Sequence, residues 1–99
     1  MATFLTRVEL HDATYENYVQ LHDFMGQEGF TATIRGGDGA LYQLPPAEYH
    51  LSANCTIEDA RAKASRAAQK TQRNYAVLVS EYSRAAWNGL KQVQARASA

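Results

Sequence analysis

The amino-acid sequence predicts an α+β sandwich, and three observations carry that reading. Apolar residues alternate with polar ones in several short segments, apolar residues recur at helical spacing in two longer segments, and the order is strand, helix, strand, strand, helix, strand. At 99 residues the chain is one domain in size, because single domains run about 100 to 200 residues. The expected domain spans residues 1–93, with residues 94–99 a frayed tail.

The elements follow in chain order. Over residues 3–11, Phe4, Thr6, Val8 and Leu10 fall on one side and Leu5, Arg7, Glu9 and His11 on the other, the period of a half-buried strand. Asp12 or Thr14 supplies the oxygen that caps a first helix. Its apolar stripe reads Tyr15, Tyr18, His22 and Met25 with Val19 and Leu21 beside it, and Gly26 or Gly29 ends it. His22 reads as a hydrogen-bonded boundary histidine. Phe30, Ala32 and Ile34 alternate with Thr31, Thr33 and Arg35, and the run Gly36-Gly37-Asp38-Gly39 then turns the chain back as a hairpin. That glycine run lacks the lysine, hydroxyl and following helix of a phosphate-binding loop. Residues 40–53 are one bulged strand or two short ones, since Pro45 and Pro46 remove ladder donors. Thr56 followed by Glu58 and Asp59 opens a second helix over residues 57–72. Its inner face, Ile57, Ala60, Ala64, Ala67 and Thr71, is nearly all small and permits close approach to a sheet. Residues 75–82 are the last core strand, and the segment holding Trp87, Gly89, Leu90 and Val93 suits a short extra strand. Two right-handed crossovers joined by a hairpin make a ferredoxin-like β-α-β-β-α-β sandwich, a four-stranded antiparallel sheet with both helices on one face.

Composition narrows the function. The apolar fraction of 45% and charged fraction of 20% are those of an ordinary globular domain, and no apolar run approaches the roughly 18 residues that span a bilayer. Nothing reads as a signal peptide, so a cytoplasmic protein without membrane partners is expected. Cys55 is the sole cysteine, which excludes an intrachain disulfide and a multi-cysteine metal site, and it reads as structural. The zero formal charge conceals an asymmetry. Residues 1–59 hold two bases and nine acids, a balance of −7, and residues 60–99 hold eight bases and one acid, +7. Such polarity steers a polyanion to one side or draws two copies together. With an open sheet face and the apolar segment around Trp87 and Leu90, it makes a homodimer the expected state.

Two groups of residues suggest chemistry. The open sheet face is expected to gather Arg7, Glu9, His11, Thr31, Thr33, Arg35, Glu48 and His50. With the first and third strands read as adjacent and parallel, His11 and His50 meet at one end. Two imidazoles suffice for metal-free RNA cleavage, one activating the 2′-hydroxyl and one protonating the leaving oxygen, with Arg7 or Arg35 offsetting charge at phosphorus. A solvated or dimer-forming face of mixed charge is the plainer reading. Asp12, at the strand-to-helix junction, is either a metal-binding carboxylate or a cap. One aspartate beside His11 falls short of the carboxylates a Mg²⁺ site gathers, so no metal or cofactor is expected. On the second helix Lys63, Arg66, Lys70 and Arg73 are spaced 3, 4 and 3 apart and form one stripe. The stripe suits a phosphate backbone or an acidic protein partner, and its plainer reading is a solubilising face.

Several segments together resemble the bacterial GhoS-type endoribonuclease antitoxins of type V toxin-antitoxin systems. They are Thr6-Arg7-Val8-Glu9-Leu10-His11, Leu21-His22 with Met25, Gly29-Phe30, Tyr42-Gln43-Leu44-Pro45, Ala47-Glu48-Tyr49, and Trp87 with Gly89-Leu90. The resemblance spans residues 3–90 and is one of general texture. It implies a ferredoxin-like fold akin to the small nucleases of CRISPR adaptation, and an antitoxin that cleaves the messenger RNA of a small membrane-acting toxin. It assigns no catalytic position in this chain. The competing expectation is a non-catalytic interaction module, such as a mobile-element or phage-encoded inhibitor that occupies a host protein.

Overall fold

The computed structural model describes residues 1–93, and the expected tail at 94–99 lies outside the described residues. Two helices and six short strands form an α+β fold: β1 (Ala2–Leu10), α1 (Tyr15–Gln27), β2 (Thr33–Arg35), β3 (Leu41–Gln43), β4 (Glu48–Ala53), α2 (Ile57–Gln69), β5 (Tyr75–Glu81) and β6 (Gln92–Val93). None of the described helices is long and apolar enough to cross a membrane.

The strands form two three-stranded antiparallel sheets, ordered β4-β1-β5 and β2-β3-β6, where the sequence predicts one sheet of four. The expected second strand explains the difference. Only Thr31 pairs with β4, through reciprocal main-chain bonds to His50 of 2.8 and 2.7 Å. Beyond it the chain peels off, and Thr33–Arg35 pairs with Leu41–Gln43 around the glycine turn. Asp38 fastens that turn, accepting from the Ala40 N–H at 3.0 Å and the Tyr42 hydroxyl at 2.8 Å. Pro45 and Pro46 divide residues 40–53 into β3 and β4. The C-terminal segment then adds β6 to β3, with Trp87 packed at 5.5 Å between ring centroids against Tyr42.

β1 is central in the first sheet and antiparallel to both neighbours, with Leu5 opposite His50 on β4 and Ser80 on β5. The parallel relation expected between β1 and β4 is therefore corrected. Each crossover keeps strand direction and the hairpin reverses it, so the first and third strands must oppose one another.

Both helices pack on the face of this sheet that carries Phe4, Val8 and Leu10. Leu21 and Met25 of α1 and Ala60, Ala64, Ala67 and Ala68 of α2 join Tyr49 and Leu51 in one buried cluster. The alanine face of α2 is as the spacing predicts. The α1 stripe is rotated from its prediction: Leu21 and Met25 are buried, Tyr18 and Phe24 half-buried, and Tyr15 and His22 exposed. A one-position turn of a helix moves its face by about 100°, and an α1 rich in aromatic residues offers two competing stripes. Thr14 and Asn17 form a capping box on α1, as Thr56 and Asp59 do on α2.

Candidate functional site

The end of β1 and the start of β5 are bound together, since the His11 N–H donates to the Asn74 carbonyl at 2.8 Å. Asp12 follows in the left-handed region at φ 53°, a conformation aspartate tolerates, and Thr14 rather than Asp12 caps the helix. The Tyr18 hydroxyl reaches back to the main chain of Leu10, at 3.0 Å from its N–H and 3.2 Å from its carbonyl. Across from this junction α2 ends. Thr71 is buried and donates to the Ala68 carbonyl at 2.7 Å, and Gln72 turns the chain at φ 65°. Arg73 then donates through Nε to Asn17 Oδ1 at 3.2 Å, and the Lys70 ammonium stands 5.7 Å from the Phe24 ring centroid.

These contacts line a groove of about 400 Å³ between α1 and α2, walled by Asn17, Gln20, Phe24, Lys70, Gln72 and Arg73. Two cations, an aromatic ring and three amides are what a phosphate and a stacked base require. His11 does not line this groove: it follows the end of β1, and its Nε2 is 3.7 Å from Glu9 Oε1, both side chains well exposed. A carboxylate beside an imidazole orients it. The sequence reading missed Asn17, Gln20, Phe24 and Gln72. The 3 and 4 spacing of Asn17, Gln20 and Phe24 is the signal that places them on one face of α1.

Elsewhere the expected constellation comes apart. His50 lies opposite Leu5, six residues from His11 along the sheet and thus about 20 Å away at roughly 3.4 Å per residue. His11 and His50 do not form a dyad. His50 Nε2 instead meets the Tyr82 hydroxyl at 2.6 Å, and burial holds its pKa below the usual 6.5. Arg7 is 3.5 Å from Glu48 on the neighbouring strand, and Thr31 shares the row of His50. Arg35 is remote on the second sheet, its guanidinium donating to the Gly39 carbonyl within its own hairpin. The basic stripe expected on one helix is broken: α2 ends at Gln69, so Arg73 lies beyond the Gln72 turn, and Arg66 forks onto Glu28 at 3.0 and 3.2 Å, which pulls the Glu28 carboxyl below its ordinary range. Lys63 adjoins Cys55 and Asp59 in a shallow depression. Among the described residues, no acid stands at ion-pair distance from Lys63, Lys70 or Arg73.

A larger cleft of about 560 Å³ opens where α1, β1 and β4 converge, between Tyr15, Tyr18, His22 and the Pro45-Pro46-Ala47 turn. Ala47 is held at φ 63°, a strained conformation for a side chain with a Cβ. Tyr49 forms its floor, and burial pushes that phenol up to about 12. Its charged groups are Arg7, Glu9 and Glu48, so acids outnumber bases and the cleft repels a polyanion. Among the described residues no group of three or more His, Cys, Asp or Glu side chains is arranged to hold a metal ion. The chain matches no family model and no curated protein sequence.

Proposed function

We propose that the protein acts on RNA as a small antitoxin-like regulator, with the strand lying in the groove between α1 and α2. The observation that carries this reading is the meeting of Lys70, Arg73 and Phe24 with three amide side chains in one groove. Phosphates pair with the cations, a base stacks on the half-exposed ring, and the amides read or orient the base edges. Where the protein cleaves its messenger, His11 is the group to do so. It is oriented by Glu9, and Arg73, one residue before the Asn74 whose carbonyl accepts from the His11 N–H, offsets the charge that builds on phosphorus. His50, enclosed against Tyr82, has no part in that step.

The test is to incubate pure protein with mixed cellular RNA, with and without chelator, and to follow binding across salt concentrations. Affinity falls steeply with salt, and Lys70→Ala with Arg73→Ala together flatten the log–log slope by about one to two, at roughly 0.7 per single-strand phosphate contact. His11→Ala abolishes cleavage while His50→Ala leaves it. Equal cleavage by the His11→Ala variant and the parent overturns the catalytic assignment.

A second reading rests on the 560 Å³ cleft, whose rim residue Tyr15 is 83% exposed and whose Ala47 turn is strained. In that reading the protein is a non-catalytic inhibitor of another protein. Failure to bind any RNA at low salt selects it, and the cleft rim at Tyr15 then becomes the place to seek the partner.

A further inference from the structure

We infer that the free edge of β5 pairs with the same edge of a second copy, joining two three-stranded sheets into one of six. Hydrogen-bond parity leaves one edge of β5 unpaired among the described residues. Asn74 accepts from His11, and Tyr82 donates to Thr3, so even-numbered residues of this segment turn their main-chain groups toward β1. The N–H and carbonyl groups of Tyr75, Val77, Val79 and Glu81 therefore point outward, and no described strand pairs with them. A seven-residue edge of sequence YAVLVSE has no proline, lysine or bulge to discourage pairing. On its open face Leu78 is 66% exposed.

The occupant follows from the strand's own sequence. A twofold axis through Leu78 sets Val77 against Val79 and Tyr75 against Glu81 of the other copy, both as hydrogen-bonded pairs. It sets Leu78 against Leu78 as the close, non-hydrogen-bonded pair. Every outward main-chain group of the strand is then satisfied, the exposed leucine is covered by its own copy, and no like charges oppose each other along the pair. Pairing with β4 of another copy, which would polymerise, is obstructed, because Thr31 already occupies the outer side of β4 at His50. The isologous pairing closes at two.

The experiment is sedimentation together with cysteine cross-linking in a Cys55→Ser background. The parent is expected at twice its 11.0 kDa at tens of micromolar protein. Leu78→Lys, which puts two ammonium groups face to face at an already exposed position, shifts it to the monomer with the circular dichroism spectrum retained, and so does Val79→N-methylvaline introduced by semisynthesis, which blocks an outward N–H and keeps the side chain. Leu78→Cys forms a disulfide across the axis, where Cα atoms are about 4.5 Å apart. Ala76→Cys does not, since its copies are four residues out of register, about 14 Å. A monomeric parent at 100 µM, roughly the upper end of such assays, overturns the inference. So does a dimer that Leu78→Lys leaves intact, or cross-linking of Ala76→Cys as efficient as that of Leu78→Cys.

Discussion

Thr6 is a threonine in a place made for valine, and replacing it tests how the sheet meets the helices. Its side chain is 2% exposed, on the helix-facing side of β1 between Tyr49 of β4 and Val79 of β5, and its hydroxyl has no hydrogen-bond partner among the described residues. A buried hydroxyl without a partner costs about 1 to 3 kcal/mol of lost solvation, and the added methyl of valine contributes about 0.8 kcal/mol by burial. Imperfect fit of that methyl offsets part of the sum, so Thr6→Val should stabilise the fold by about 1 to 2 kcal/mol. For a domain of this length 1 kcal/mol moves the melting temperature by about 4 to 8 °C. Thermal unfolding followed by circular dichroism should therefore show a rise of at least about 4 °C. Thr6→Ser, which keeps the hydroxyl and loses the methyl, should melt below the parent. A fall in melting temperature for Thr6→Val would refute the reasoning, since it would mean that the hydroxyl makes a bond in the folded state.

Three further outcomes are expected. Ala64→Leu, at a 0% exposed position between α2 and the sheet, should cost about 1 to 3 kcal/mol through overpacking, whereas Ala62→Leu on the exposed side should change the melting temperature little. Arg66→Ala should destabilise at neutral pH. Glu28 has its folded-state pKa below 4.5, so the pair's contribution is full above that value and disappears as pH falls through the folded-state value, where parent and variant should converge. His50 behaves in the opposite sense, because burial lowers its folded-state pKa below 6.5 and the unfolded chain binds more protons. Stability should therefore fall as pH drops from 6.5 through the folded-state value, and His50→Gln should flatten that slope in urea titrations at stepped pH.

Much of the architecture was legible in the sequence because the signals were local. The alternation of Phe4, Val8 and Leu10, the alanine stripe of α2, the caps at Thr14 and Thr56 and the glycine turn all depend on neighbours within a few residues. Their physics is that of pleat, helical pitch and capping, which operates before the chain is folded. Where two local signals competed, the sequence was ambiguous. In α1, Tyr15 and His22 lie about as well on an apolar stripe as Leu21 and Met25, and only the volume between helix and sheet decides which pair is buried.

The candidate site was less legible, because it is assembled from contacts distant in sequence. His11, Lys70 and Arg73 were singled out by residue type, but the groove needed Asn17 and Phe24, brought against α2 from more than forty residues away by chain folding. The same tertiary decision separated His11 from His50. Periodicity places a residue on a face of a strand, while register and direction place it along that face, and these follow from how the crossovers and the hairpin close. The division into two sheets likewise depends on distant segments, since the chain leaves β4 after Thr31 and the hairpin of β2 and β3 takes β6 as its third strand. By itself, then, the sequence determined the elements, their caps and the polarity of charge, since these are short-range properties of the chain. Tertiary structure alone decided strand register, the company each titratable group keeps and the open edge of β5, because each of these is a balance among contacts between segments far apart in the chain.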